Sequence, residues 1–347
     1  MKVMLLCAGL GTRLRPLTGI RAKPVLPVLN KPLIVHTLEL LEKAGVREVM
    51  INLHHLPGTI TGALKSFAPP GMQILYSHED PILGSAGGIK RAEAFFEGRR
   101  GIILNGDTLM DFSLEDLVSF HEKSGAIATM VLKEQVPGEK YAPVLLDSTG
   151  KITGIAGRPP LPAGEKVRSF LYTGLQLIEP EVFAEIPRDV PWEMNARVYP
   201  DMIRKGWPVY GFVAPWFWLD FGTPQDYLDS NMSLLSCRPR LPFYPLERGL
   251  AVKTLRGGSD RNKMAGDVKL EDGVTGTGGI IAGPGCILRQ GISCNRTLIL
   301  ENTVIGRNTT ISNSIIGPGL EIPSRSVIRN RIVIRNREGE ILEQSLT

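Results

Sequence analysis

Cysteine and histidine are scarce in this chain: its 347 residues hold four of the first and five of the second. Cys7, Cys237, Cys286 and Cys294 form no C-x-x-C pair and no metal-ligand cluster, so free thiols in a cytoplasmic protein are expected. No apolar run approaches the roughly 20 residues that span a bilayer, so no membrane partner is expected. The apolar start, Met1 to Cys7, is too short for a leader and runs straight into glycines; it reads as a first strand. Aromatic residues make up 6% and do not interleave with the basic residues, which are mostly isolated arginines. A nucleic-acid partner is therefore not expected, despite a net charge of +5. That excess sits in residues 237–347, where 13 Arg and 3 Lys face 10 acidic residues; the remainder holds 24 basic and 25 acidic.

What is present is a glycine turn after a buried-looking strand. Val3–Cys7 is continuously apolar, as a central parallel strand is, and Ala8-Gly9-Leu10-Gly11-Thr12-Arg13 follows it. Glycines at a strand's carboxyl end let backbone N–H groups close on phosphate oxygens. Arg13 and Lys23 supply positive charge for the same anion. It is not a dinucleotide fingerprint, because the third glycine position is Leu14 and no acidic residue follows at ribose distance. Nor is it a P-loop, because Gly-Lys-Ser/Thr is absent. Downstream, helix and strand patterns alternate. Helices are expected at Leu33–Ala44, Thr59–Phe67, Ala86–Phe96 and Leu114–Lys123, and strands at Glu48–Leu53, Met72–Tyr76 and Gly101–Leu104. Residues 126–180 read as further strands, broken by Pro159-Pro160-Leu161-Pro162. This is the pattern of a doubly wound, mixed but mainly parallel α/β sheet, whose ligands bind beyond the carboxyl ends of the strands. The glycine turn and Asp107 both fall at such ends.

Four blocks resemble the signatures of the sugar-nucleotide pyrophosphorylases. They are the glycine turn with Lys23-Pro24, Leu83-Gly84-Ser85-Ala86-Gly87-Gly88, Leu104-Asn105-Gly106-Asp107, and Trp218-Leu219-Asp220-Phe221-Gly222-Thr223-Pro224. They stand in the family's order across residues 1 to about 230. The resemblance implies a nucleoside triphosphate and a sugar 1-phosphate as partners, and Mg²⁺ held by Asp107 and Asp220. It implies Arg13, Lys23 and Asp107 as catalytic residues. It places Ala8, Gly9, Gly11, Thr12, Glu79, Gly84 and Gly88 at the nucleotide, and Tyr141, Arg158, Gly174 and Asn195 at the sugar phosphate. The sugar side departs from the family pattern: Gly157 stands where a glutamate is usual, and Asn195 where an acidic residue is. With the C-terminal half considered, the chain looks most like mannose-1-phosphate guanylyltransferases. Uridylyl, thymidylyl and adenylyl transfer stay open, as does an inactive subunit that only binds a nucleotide sugar.

The C-terminal part has a different period. Val268, Val274 and Ile280 recur every six residues, as do Ile299, Ile305 and Ile311, and then Ile316, Ile322, Ile328 and Ile334. An even period keeps these residues on one side of a strand, and Gly283-Pro284-Gly285 and Gly317-Pro318-Gly319 supply turns. This is a solenoid pattern of about 18 residues per winding, similar to the hexapeptide left-handed parallel β-helix. The expected division is a nucleotidyltransferase domain over 1–236, a linker over 237–264 and the β-helix over 265–347. All five histidines lie at or before His121, so a histidine-dependent acyltransferase in the β-helix is not expected. The β-helix is read as an assembly element, and a homo-oligomer is expected.

Overall fold

The computed structural model describes residues 1–135, 141–160, 166–237, 241–243 and 262–346. Most of the expected linker, and Leu161 and Pro162 of the proline run, lie outside them. The chain folds into two compact units that cut across its linear order. One comprises residues 1–9, 37–57 and 68–218; the other comprises 10–36, 58–67 and 219–347.

The first unit is built on a nine-stranded sheet. Its strands are β1 (Lys2–Leu6), β2 (Glu48–Leu53), β3 (Gln73–His78), β4 (Gly101–Asn105), β5 (Ala128–Glu134), β6 (Pro143–Leu146), β7 (Ile152–Ile155), β8 (Arg168–Ile178) and β9 (Val209–Val213). The strands β3-β2-β1-β4 are all parallel. Val3, Met4 and Leu5 are wholly buried, which is why β1 reads as an unbroken apolar run. Beyond β4 the sheet changes character. The long strand β8 runs antiparallel to β4, β5 and β6, β7 is antiparallel to β6, and β9 is parallel to β5. The mainly parallel sheet expected from the alternation is thus confined to the first four strands and the β5–β9 pair.

The helices follow their sequence signals, with one break. Leu114–Ser124 begins at Ser113, whose hydroxyl accepts from the Asp116 N–H, and ends at Gly125 in the left-handed region. The single helix expected over Ala86–Phe96 is instead a helix over Gly84–Arg91 followed by a tight turn over Glu93–Phe96. That break lets Phe95 and Phe96 turn into the core, where Phe96 packs 5.1 Å from Phe183.

The second unit joins the early loop, most of the helix Pro57–Phe67, the helix Pro224–Cys237 and a C-terminal stack of parallel strands. Helix Pro224–Cys237 runs to the first residue of the expected linker; Leu234 and Leu235 are buried and keep its last turns in the fold. In the stack, Thr275–Ala282, Ser293–Ile299 and Thr310–Ile316 lie in parallel, beside a second ladder of Lys269–Leu270, Ile287–Leu288, Val304–Ile305 and Glu321–Ile322. Lys263 faces Ile281, an advance of 18 residues, whereas Ile299 faces Ile316, an advance of 17. The five-residue step from Ile311 to Ile316 is this shorter winding. Every six-period residue from Val268 to Ile328 lies in one apolar core, with Cys286 and Ile292 continuing the series past Ile280. Ile334 does not. Val333 takes the inward place, and Ile334 pairs with Leu342 in an antiparallel strand, Ile341–Ser345, that closes the stack. Burial pushes the Cys286 thiol up to about 11 and the Cys294 thiol up to about 12.

Candidate active site

In the second unit the glycine turn and Asp220 meet. Gly11 has φ +60°, and a Cβ there would lie 2.9 Å from the Thr18 methyl and 3.4 Å from Lys23 Cβ. The Thr18 hydroxyl donates to the Gly11 carbonyl at 2.8 Å, fixing the turn. Gly11 is therefore required by the loop's own packing. Lys23, only 6% exposed, places its Nζ 2.9 Å from Asp220 Oδ1. The Phe221 N–H donates to the same oxygen at 2.8 Å. Arg13 Nη2 stands 3.9 Å from Asp220 Oδ2, and the Arg13 side chain is otherwise exposed. Gly222 leaves room there: a Cβ at 222 would lie 3.4 Å from Arg13 Nη1. Thr12 is exposed at the mouth of the turn. Two cations on one carboxylate, one buried and one reaching into solvent, suit an anionic ligand with several oxygens.

In the first unit, Asp107 follows the end of β4. Gly106 sits directly against the Cys7 sulfur, where no Cβ fits, and its N–H donates to the Leu6 carbonyl at 2.9 Å. This sets Asp107, half-buried, beside the end of β1. Burial, with the Asp107 carboxylate adding to it, pushes the Cys7 thiol well up. Ala8 is buried, while Gly9 is exposed with open space beside its Cα. Gly174, φ +91°, lies against the Asn105 side chain. The Trp218 indole donates to the Thr173 carbonyl at 2.7 Å, and the Tyr141 ring stands edge-on to Trp218 at 5.5 Å. Asp107, Gly174 and Tyr141 are thus brought to one region.

Glu79, Gly84 and Gly88 are placed by internal contacts. Glu79, 3% exposed, accepts from Asn52 Nδ2 at 2.7 Å and from the Leu83 N–H at 2.8 Å. Asn52 Oδ1 in turn accepts from the Cys7 N–H at 2.7 Å. This relay ties the end of β1 to the start of the second glycine-rich segment. A Cβ at Gly88 would strike Glu79 and Asn52, and one at Gly84 would lie 2.7 Å from the Trp192 carbonyl. The N–H groups of Ala86 and Gly87 donate to that same carbonyl, so they are already satisfied. Asn52 was not singled out as a site residue in the sequence; its partners lie 27 and 45 residues away, with no local signature.

Arg158 lines a cavity of about 370 Å³ with Trp192, Arg197, Asp201 and Arg204. Arg197 lies 5.2 Å over the Trp192 ring, and Arg204 pairs with Asp201. Three guanidinium groups against one carboxylate favour an anion, and Arg197 and Arg204 were not read from the sequence. Gly157 has a local reason: Ala156 and Gly157 both have positive φ in a two-residue turn closed by reciprocal Ile155–Arg158 hydrogen bonds of 2.8 and 2.9 Å. Two residues before Arg197, the Asn195 side-chain oxygen is buried with no hydrogen-bond partner among the described residues. No three His, Cys, Asp or Glu side chains among the described residues gather to hold a metal unaided. Single carboxylates, in place of a three-ligand cluster, are what Mg²⁺ accepts, since it takes one or two carboxylates and completes its shell with water and substrate phosphates.

An α/β sheet with phosphate-type turns at the ends of its central strands, and a lysine and an arginine on one carboxylate, defines a nucleotide-handling enzyme. The chain belongs to the nucleotidyl transferase family, whose model matches residues 2–236. It is 32% identical over 330 residues to a UTP–glucose-1-phosphate uridylyltransferase of Synechocystis, covering 88% of this chain and 84% of that one. It is 31% identical over 329 residues to mannose-1-phosphate guanylyltransferase 1 of Arabidopsis thaliana, covering 91% and 86%. Among solved structures it is similar in fold to HddC from Yersinia pseudotuberculosis, with TM-score 0.57 and 22% identity over 67% of this chain and 99% of that one. HddC has also been solved in complex with GMP-PN. No described helix is long and apolar enough to cross a membrane.

Proposed function

We propose that this enzyme joins a nucleoside triphosphate to a sugar 1-phosphate, and that its pair is GTP and mannose 1-phosphate. A sugar-phosphate oxygen attacks the α-phosphorus, its new P–O bond forms as the bond to the β-phosphate breaks, and pyrophosphate leaves. The nucleophile is already an anion, so no general base is needed, and the scarcity of histidine does not count against the reaction. The barrier lies in bringing anions together in line, which positioning and charge neutralisation lower.

The observation that carries the reading is the Lys23–Asp220 pair with Arg13 beside it on a glycine turn. Arg13 is assigned to the β- and γ-phosphates and Lys23 to the α-phosphate. Ala8, Gly9 and Thr12 line the triphosphate, and Arg158, with Arg197 beside it, binds the sugar phosphate. Asp107 and Asp220 are the residues that would hold Mg²⁺, which when bound neutralises phosphate charge. With this reading go a cytoplasmic homo-oligomer and the division into 1–236, 237–264 and 265–347, the last a left-handed hexapeptide β-helix. The curated guanylyltransferase relatives favour GTP; the uridylyltransferase relative favours UTP with glucose 1-phosphate as the second reading.

The test is pyrophosphate release across four nucleoside triphosphates and several sugar 1-phosphates with Mg²⁺. GTP with mannose 1-phosphate should give the highest kcat/KM. Release from no pair would leave the inactive regulatory subunit as the reading. Asp107→Asn should cost about 10² or more in turnover, the scale for losing a main electrostatic stabiliser. An unchanged rate would remove Asp107 from the reaction.

A further inference from the structure

The segment that carries Lys23 is held from behind by the C-terminal stack. Arg21, two residues before Lys23, presents both terminal nitrogens to the Glu301 carboxylate on the stack. The Asn30 side-chain N–H donates to the Ala282 carbonyl, also on the stack, at 2.8 Å. Between these anchors the loop is not packed solid. A cavity of about 360 Å³ lies there, bounded by Ile20, Val25 and Pro27 of the loop, Phe67, and Pro284 and Leu300 of the stack. With space behind the loop, its polar anchors carry more of the task of fixing Lys23 than close packing would.

The other side of the Lys23–Asp220 pair is tied to the same stack. Arg296 pairs with Asp229 on the helix Pro224–Cys237, which starts four residues after Asp220. That helix is capped by Thr223, whose hydroxyl accepts from the Asp226 N–H at 3.1 Å while Asp226 accepts from the Thr223 N–H at 3.0 Å. Arg296 has φ +45°, a conformation an arginine rarely takes. At the same corner of the next two windings stand Asn313 and Asn330, residues that tolerate it. The backbone would be better served by asparagine at 296; the side chain's partner is Asp229.

We infer that Glu301 and Arg296 are positioning residues for nucleotidyl transfer: the stack clamps the two segments that carry Lys23 and Asp220. The inference rests on the function proposed above for that pair. Two variants test it. Glu301→Gln removes the charge that holds Arg21, and Arg296→Asn keeps the corner while removing the bond to Asp229. Both are expected to keep their melting temperature within about 2 °C. Both are expected to lower kcat/KM for the triphosphate, Glu301→Gln by about tenfold, the kind of loss that follows small misplacement of a reacting group. The pair exchange Arg21→Glu with Glu301→Arg should recover part of that loss.

A second readout does not depend on turnover. The amide N–H groups of Gly19, Arg21, Val25 and Leu26 are bonded within the loop, and their hydrogen exchange should rise at least severalfold in Glu301→Gln. If the wild type releases no pyrophosphate, the proposed function fails, and these amides still decide the clamp. Unchanged exchange in Glu301→Gln, or wild-type kcat/KM in both variants of an active enzyme, overturns it.

Discussion

Gly106 and Cys7 illustrate how single residues place the chemistry. The turn that delivers Asp107 passes so close to the Cys7 sulfur that no side chain fits at 106. Gly106→Ala should destabilise the fold by about 1–3 kcal/mol, the usual cost of overpacking, and adding Cys7→Ala should recover part of it in urea unfolding. The thiols themselves should be inert. With burial raising Cys7, Cys286 and Cys294, peptide mapping after iodoacetamide at pH 8 should find all three unmodified in the native protein and modified in urea. At this scale the sequence was legible where residues are neighbours. Gly11, Arg13 and Lys23 lie on one short loop, and the structure sets Arg13 and Lys23 on Asp220. It was not legible for the Asn52–Glu79 relay, whose partners meet only after β1, β2 and β3 have been laid side by side.

Among the elements, helix Leu114–Ser124 was readable from its ends because its Ser and Gly caps are local chemistry. Helix Pro224–Cys237 starts on equally local chemistry, with Thr223 and Asp226 forming a capping box. Helix Leu114–Ser124 also carries a titrating group. His121 is buried between Thr129 at 2.7 Å and Glu179 at 3.1 Å, with Arg100 and Glu122 acting on it as well. Burial lowers its pKa, against the opposing pull of Glu179. The unfolded chain therefore binds the proton more readily than the folded one. Stability is fully present above the unfolded value of about 6.5 and is lost as pH falls below it. The urea midpoint should fall from pH 7 to pH 5, and His121→Gln should show a shallower fall than wild type.

For the molecule as a whole, the alternating half and the six-residue half were each legible as a period. The grouping of residues 10–36 with the stack was not, because nothing in the loop's sequence names Glu301 or Ala282 as its partners. That grouping makes the stack's core matter to the loop. Ile305→Ala, at a wholly buried position in the stack's core, should cost about 2–5 kcal/mol and hasten heat inactivation of pyrophosphate release. The corner between Thr277 and Ile280 bears on how such chains diversify. Gly278 and Gly279 stand there where the next winding has only Arg296, and the strands on either side keep their register. A codon can be gained or lost at that corner without turning any inward residue outward, so length variants of this stack should accumulate at its bends and spare its ladders.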